Sequence, residues 1–262
     1  MDFGLSGKRA LVGGASQGLG AACAWQLAAL GAEVIVLARN EQKLLGVVSQ
    51  LPATEGQKHS YCCADSADLP HLTAQVQAQL DKGGAISIWV NNTGGPAPGP
   101  AHLATPQEFT HAFSQHLPGS QAVLQLLLPG MRELGYGRII NVLSTSVKTP
   151  LANLGVSNSI RAAMANWAKT LSRELAADGI TVNNVLPGLT RTARLEGLLK
   201  YRADVENTSV AEVERGMLRD LPARRFAEPK EFANAVEFLA SPAASYINGI
   251  NLPVDGGATA SL

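Results

Sequence analysis

Three glycines stand close together near the start of the chain: Gly14, Gly18 and Gly20, in the run Gly13-Gly14-Ala15-Ser16-Gln17-Gly18-Leu19-Gly20. A loop of this composition suits one kind of chemistry. Without Cβ atoms the backbone turns sharply and comes close to a bulky anion. If a helix opens at Gly18, its first amides carry partial positive charge and receive a pyrophosphate. Gly14, Ser16, Gln17, Gly18, Leu19 and Gly20 are therefore the expected phosphate-binding residues. Turns are rich in glycine, so the motif gains force only with a strand before it and a helix behind it. A second apolar run ends Leu37-Ala38-Arg39-Asn40. A carboxylate at that strand end would accept hydrogen bonds from a ribose 2′-hydroxyl, whereas an arginine accommodates a 2′-phosphate. Arg39, with Asn40 beside it, favours NADP over NAD; the alternative is an ordinary solvated arginine.

The flanking sequence supplies the required elements. Lys8–Gly13 reads as a strand, and the Ala- and Leu-rich stretch Gly18–Leu30 as a helix ending at Gly31. Strands follow at 33–38, 58–64, 86–90, 137–143, 180–185 and 249–254, with helices at 41–51, 69–82, 158–177 and 229–240. Thr105-Pro106-Gln107-Glu108 carries the signature of a helix start, with Thr as cap, Pro in the first turn and Glu three residues on. Pro118-Gly119 should kink that helix. In the helix over 158–177, Ile160, Met164, Trp167, Leu171 and Leu175 share one face. The strands are continuous apolar runs, as expected when helices cover both faces of a parallel sheet. The expected fold is an α/β, doubly wound, parallel seven-stranded Rossmann sheet forming one domain over 1–262. Only 189–221, long and mixed in charge, escapes the alternation. Ligands sit outside the carboxyl ends of such strands, which makes this segment a candidate lid.

Composition narrows the partners. Among 262 residues, 21 basic and 21 acidic side chains cancel, which argues against a nucleic acid or an anionic membrane as ligand. No run approaches the roughly 18 apolar residues of a membrane span. The opening Met1-Asp2-Phe3-Gly4-Leu5 lacks a signal-peptide pattern, and Asp2 is not the glycine that myristoylation requires. Cys23, Cys62 and Cys63 make no disulfide framework, and the five histidines show no zinc spacing, so no metal site is expected. Reduced thiols and the absence of targeting signals suggest a cytoplasmic protein.

In order along the chain, these motifs resemble the short-chain dehydrogenase/reductase superfamily, and within it the 3-oxoacyl-acyl-carrier-protein reductases. The opening LSGKRALVGGASQGLGAACA is similar to the family's first strand, glycine loop and helix, with Gly13 where Thr is usual. Asp65 matches the aspartate that contacts adenine, and Ser66 beside it joins the implied cofactor residues. Asn91–Gly94 (NNTG) matches NNAG, which implies cofactor contacts for Asn92, Thr93 and Gly94. GRIINVLS matches the strand that ends in the catalytic serine, here Ser144. ITVNNVLPGLTRT matches the segment whose Pro-Gly turn and threonines meet the nicotinamide end, implying Pro187, Gly188, Thr190 and Thr192. The closing FLASPAASYINGINLPVDGG follows the family as well. The helix over 158–177 and the last strand resemble surfaces through which family members form homotetramers.

The resemblance is incomplete at the reaction centre. The family uses Asn, Ser, Tyr and Lys, with Tyr thirteen residues after Ser and Lys four after Tyr. Here those positions hold His116, Ser144, Ser157 and Arg161. Tyr ordinarily donates the proton, its pKa lowered from about 10 by the lysine and the cofactor. Ser157 is shorter and a far weaker acid. Arg161 can bind ribose hydroxyls but does not deprotonate. Three substitutes are open: His116 as a proton source, Lys148 reaching into the cleft, or water-mediated transfer with Ser144 polarising the carbonyl. No tyrosine stands in for the lost one: Tyr136 precedes the fifth strand and Tyr201 lies in the lid. Arg191, Arg194, Arg202, Arg215 and Arg219 of the lid would attract a phosphate, but interleaved acids suggest a mixed solvated surface. Two functions follow: an NADP(H)-dependent oxidoreductase on a carbonyl/alcohol pair or acyl thioester, with altered acid catalysis, or a catalytically silent NADP(H)-binding sensor or partner. A lyase or epimerase on the same fold is a weaker third.

Overall fold

Each apolar run becomes a strand, and each strand leads through a helix to a parallel neighbour. A computed structural model describes residues 3–261; the reading of Met1 and Asp2 lies outside them. The order is β1 (Arg9–Gly13), α1 (Gly18–Ala29), β2 (Glu33–Ala38), α2 (Glu41–Val48), β3 (Ser60–Cys63), α3 (Leu69–Gly83), β4 (Ile88–Asn91), α4 (Pro106–Glu133), β5 (Gly137–Val142), α5 (Gly155–Glu174), β6 (Ile180–Pro187), α6 (Ala193–Val205), α7 (Val210–Asp220), α8 (Pro229–Ala240) and β7 (Asn251–Val254). The strands form one sheet in the order β3-β2-β1-β4-β5-β6-β7, every pairing parallel. The chain's progress across the sheet reverses between β1 and β4, and the crevice for a ligand opens at such a point.

Alternate residues of each strand feed two cores. Ala10, Val12, Val34 and Val36 face α1 and α8, joining Leu27, Phe232 and Val236. Leu11, Ile35 and Leu37 face the opposite layer, joining Leu72, Leu127, Met131 and Leu171 from α3, α4 and α5. Both faces are apolar, so the strand sequence shows no polar alternation. Among the described residues, no helix is long and apolar enough to cross a membrane.

Several boundaries differ from the sequence reading. The Thr105 cap is present as a full capping box. Helix α4 runs on through Pro118-Gly119 to Glu133. Burial of Val123, Leu124, Leu127 and Met131 beyond the proline outweighs one missing backbone hydrogen bond. Gly119 is there for contact: a Cβ would come 2.6 Å from the Ser66 carbonyl oxygen. Helix α5 begins at Gly155 rather than Asn158 and ends earlier, which places Ser157 in its first turn. The lid is two helices, α6 and α7, around a small core of its own: Leu195, Leu199, Ala203, Val213, Leu221 and Phe226. Cys23 and Cys62 are buried free thiols, whereas Cys63 is only partly covered.

Candidate active site

The loop from β1 to α1 is built from backbone that only glycine tolerates. Gly14 and Gly18 have φ of +58° and +59°. A Cβ on Gly13 would come 2.6 Å from the Asn92 carbonyl oxygen, and one on Gly14 2.6 Å from Asn92 Nδ2. A Cβ on Gly20 would overlap the Gly14 carbonyl. Asn92 Nδ2 donates to the Gly13 carbonyl at 3.2 Å, tying the ends of β1 and β4 together. Gln17, at the cap of α1, makes no capping bond, and no acidic residue occupies the first turn. Its amide oxygen accepts instead from Lys43 Nζ at 3.1 Å. The helix therefore opens with its partial positive charge unopposed, as an incoming phosphate requires.

At the end of β2, the Arg39 side chain is 73 % exposed, and it pairs with Asp65 at 3.5 Å. Asn40 is the cap of α2, accepting from the Lys43 amide at 2.9 Å. Asp65 also accepts from the Ala67 amide at 3.0 Å. Gly13, Leu37, Ser66, Asn92, Thr93 and Gly119 line one cleft. Of the residues predicted from sequence, this cleft brings together Ser66, Asn92 and Thr93, while Arg39 and Asp65 stand outside it.

A row of asparagines crosses the carboxyl half of the sheet. Asn91 donates to Asn141 at 2.9 Å, Asn141 to Asn184 at 2.9 Å, and Asn184 to Asn251 at 2.7 Å. These pairs are in register across β4, β5, β6 and β7. Asn91 also donates to Ser120 Oγ at 2.8 Å, and Ser120 donates to the His116 carbonyl at 2.5 Å. The ladder ties the strand ends to the middle of α4.

Ser144 follows β5 and caps the short turn Thr145–Val147, its Oγ accepting from the Ser146 amide at 3.1 Å. That bond uses a lone pair and leaves the hydroxyl proton to donate elsewhere. Lys148 ends the same turn. Arg161 is buried, with Nη1 donating to the Val142 carbonyl at 3.1 Å and Nη2 to the Thr93 carbonyl at 3.4 Å. Burial, helped by the charge of Arg194, pulls its pKa down to about 10, so it remains a cation near neutrality. Ser157 lies one helical turn earlier on the same face and is also buried.

His116 does not fit the role of proton source. It is 1 % exposed, and Nδ1 lies 2.8 Å from the Ala112 carbonyl, so Nδ1 carries the hydrogen. Burial, then the neighbouring Arg161 charge, holds its pKa down to about 4. Near pH 7 the ring is neutral, and Nε2 is an acceptor buried without a partner.

Beyond β6, a Cβ on Gly188 would come 2.5 Å from the Asp255 Cα, which fixes a close turn after Pro187. Thr190 is buried, its hydroxyl donating to the Gly188 carbonyl at 3.2 Å; Thr192 donates to the Thr190 carbonyl at 3.3 Å. A Cβ on Gly18 would lie 3.5 Å from Thr192 Cγ2, so α6 starts directly over the glycine loop. Arg191 turns away to Glu214 and Glu228. Arg194, two residues into α6, turns inward to Gly95 and Arg161. Nothing local in the sequence distinguishes Arg194 from the other lid arginines; only the fold does.

The comparison that decides the family is a match to the model described as enoyl-(acyl carrier protein) reductase over residues 14–259. The chain belongs to the short-chain dehydrogenase/reductase superfamily. Relatives in this superfamily include the 7alpha-hydroxysteroid dehydrogenase of Escherichia coli, 31 % identical over 98 % of this chain and 96 % of the relative. The 3-oxoacyl-[acyl-carrier-protein] reductase of Vibrio cholerae is 34 % identical over 97 % of this chain and 98 % of its own. Among solved structures, the L-sorbose reductase of Gluconobacter frateurii, complexed with NADPH and L-sorbose, superposes with a TM-score of 0.94 at 30 % identity over the full length of both chains. An NADPH-dependent reductase involved in bacilysin biosynthesis gives 0.92 at 28 % identity, covering 98 % of this chain and all of that one.

Proposed function

We propose that this short-chain dehydrogenase/reductase is an NADP(H)-dependent oxidoreductase acting on a carbonyl/alcohol pair, with acid catalysis that does not rest on a tyrosine. The observation that carries the reading is the glycine loop, wound so tightly that a Cβ at Gly13, Gly14 or Gly20 would collide with Asn92 or with the loop's own backbone, ahead of an uncapped helix start. Gly18, Leu19 and Gly20 hold the pyrophosphate, with Ser16 and Gln17 at the rim. Arg39 takes the 2′-phosphate, releasing Asp65 to the adenine side with Ser66. Thr93, Gly94 and Arg161 meet the nicotinamide ribose, and Pro187, Gly188, Thr190 and Thr192 the nicotinamide end. The cofactor, when bound, supplies or accepts the hydride.

The chain's residues then do the rest. Ser144 donates its free hydroxyl proton in a hydrogen bond to the carbonyl oxygen and stabilises the charge that develops there. Arg161 adds positive charge but keeps its own protons. Ser157, too weak an acid to act alone, passes a proton from water to the same oxygen. The lid of α6 and α7 covers the cleft, within one domain. The edge strand β7, with Leu252, Pro253 and Val254 partly exposed, suits association into a tetramer. The low pKa of His116 favours a second reading, binding without turnover.

Calorimetric titration tests the cofactor assignment. Arg39→Asp should weaken NADPH binding at least tenfold and leave NADH binding nearly unchanged. A wild-type protein that prefers NADH overturns the role of Arg39. If NADPH binds but no carbonyl in a broad panel is reduced, the second reading holds.

A further inference from the structure

Two guanidinium groups approach each other beside Gly95, next to the Thr93 backbone that lines the cleft. A Cβ built on Gly95 would lie 3.1 Å from Arg194 Nη1, 3.3 Å from Arg194 Nη2 and 3.7 Å from Arg161 Nη2. Arg161 spends its two terminal nitrogens on the Val142 and Thr93 carbonyls. Arg194 makes no hydrogen bond or ion pair, although Arg191, three residues earlier, has two carboxylate partners. Among the described residues, Arg161 and Arg194 have no ion-pair partner. Ser157, 8 % exposed, lies one turn before Arg161 on the same helix face. Two adjacent cations repel, and a buried guanidinium without a counter-charge is costly. Arg194 is exposed, yet its guanidinium approaches Gly95 near Arg161 and pairs with none of the lid acids.

We propose that Arg194, backed by Arg161, is the specificity-determining residue for a substrate that carries a carboxylate close to its reacting carbonyl: a short oxo acid rather than a neutral ketone or a thioester. The planar fork of Arg194 receives the carboxylate through two parallel hydrogen bonds. Arg161 contributes field from behind. A Cβ at position 95 would crowd the tip of Arg194 while only touching Arg161. Arg194 sits two residues into α6, so an anion bound to it also draws the lid onto the cleft, next to the Thr192–Gly18 contact. This inference rests on the reading of the cleft as a carbonyl site and names its substrate class.

The experiment uses ligands that cannot react with NADPH. 2-Hydroxybutanoate, 3-hydroxybutanoate and 4-hydroxypentanoate, each with its methyl ester, are titrated calorimetrically into the wild type and into Arg194→Gln, with and without saturating NADPH. At least one acid should bind the wild type ten times more tightly than its ester. Arg194→Gln should bring that acid to the level of the ester while leaving NADPH affinity within twofold. Equal binding of acid and ester in the wild type for all three pairs overturns the proposal. So does a loss of NADPH affinity in Arg194→Gln as large as the loss of acid affinity, because Arg194 would then serve the cofactor. Failure of NADPH to bind the wild type removes the functional reading above, while the acid–ester comparison in the free protein still decides the role of Arg194. Arg194 is exposed and outside the main core, so the variant is expected to fold; an unchanged thermal midpoint checks this.

Discussion

His116 should make this protein acid-labile in a pH range where most carboxylates are silent. The ring is buried, and its pKa falls from an ordinary 6.5 to about 4. A proton therefore prefers the unfolded chain, so the stabilising effect is fully present above pH 6.5 and is lost as pH falls towards 4. The full difference corresponds to about 3 kcal/mol, at about 1.4 kcal/mol per unit. Between pH 7.5 and pH 5 the expected loss is about 2 kcal/mol. Urea unfolding at both pH values measures it, with His116→Asn as the control that removes the titrating group and retains a polar side chain. Groups common to both proteins cancel in the comparison. The wild type should lose about 2 kcal/mol more than the variant over this interval. Parallel loss in the two proteins would show that His116 is solvated or already charged, and with it the assignment of Nε2 as a neutral acceptor would fall.

Two further outcomes follow from the site. Asn141→Ala removes the middle rung of the asparagine ladder, where the side chain is fully buried, and leaves the Asn184 carbonyl oxygen unpartnered. Denaturant unfolding should show a loss of about 2–4 kcal/mol, against less than about 1 kcal/mol for Asn251→Ala at the exposed end; equal losses would mean the ladder carries no buried strain of this kind. Second, the double substitution Ser157→Tyr and Arg161→Lys supplies the acid and the lysine that the family resemblance implies at these positions. Under the proposed mechanism, kcat/KM for a carbonyl substrate should rise by about 10²–10⁴, and a double variant that folds and binds NADPH without any gain would show that the missing tyrosine is not what limits the wild type.

What could be read from the sequence divides along a physical line. The glycine loop was legible because its requirement is local: Gly14 and Gly18 need positive φ and Gly20 needs an absent Cβ, each a property of one residue type. The seven strands were legible because both sheet faces are covered, so each strand is an unbroken apolar run. The start of α5 was not, since Leu154 caps it without any side-chain bond and leaves no mark in the sequence. The lid's helices were hidden by their charges, although Leu195, Leu199 and Ala203 already recur at helical spacing. The asparagine ladder depends on register between strands, which no single strand's sequence encodes. The convergence of Gly95, Arg161 and Arg194 joins three distant segments, and no local pattern encodes it.

The same division bears on how chemistry is lost or altered in such a fold. The phosphate grip is made of backbone amides and missing side chains, so it survives wherever the glycines do. Acid catalysis is made of side chains, and here a serine and an arginine stand at the positions where the family resemblance implies tyrosine and lysine. Arg161 keeps the positive charge and anchors it on the Val142 and Thr93 carbonyls, but it cannot release a proton near neutrality. A cation that only attracts, placed beside a second cation from the lid, is poorly suited to a proton relay and well suited to holding an anion. If the family resemblance places a lysine at position 161, the arginine there fits a change in what the cleft recognises better than simple decay, because decay gives no reason for Arg194 to approach a like charge without pairing with the lid's carboxylates.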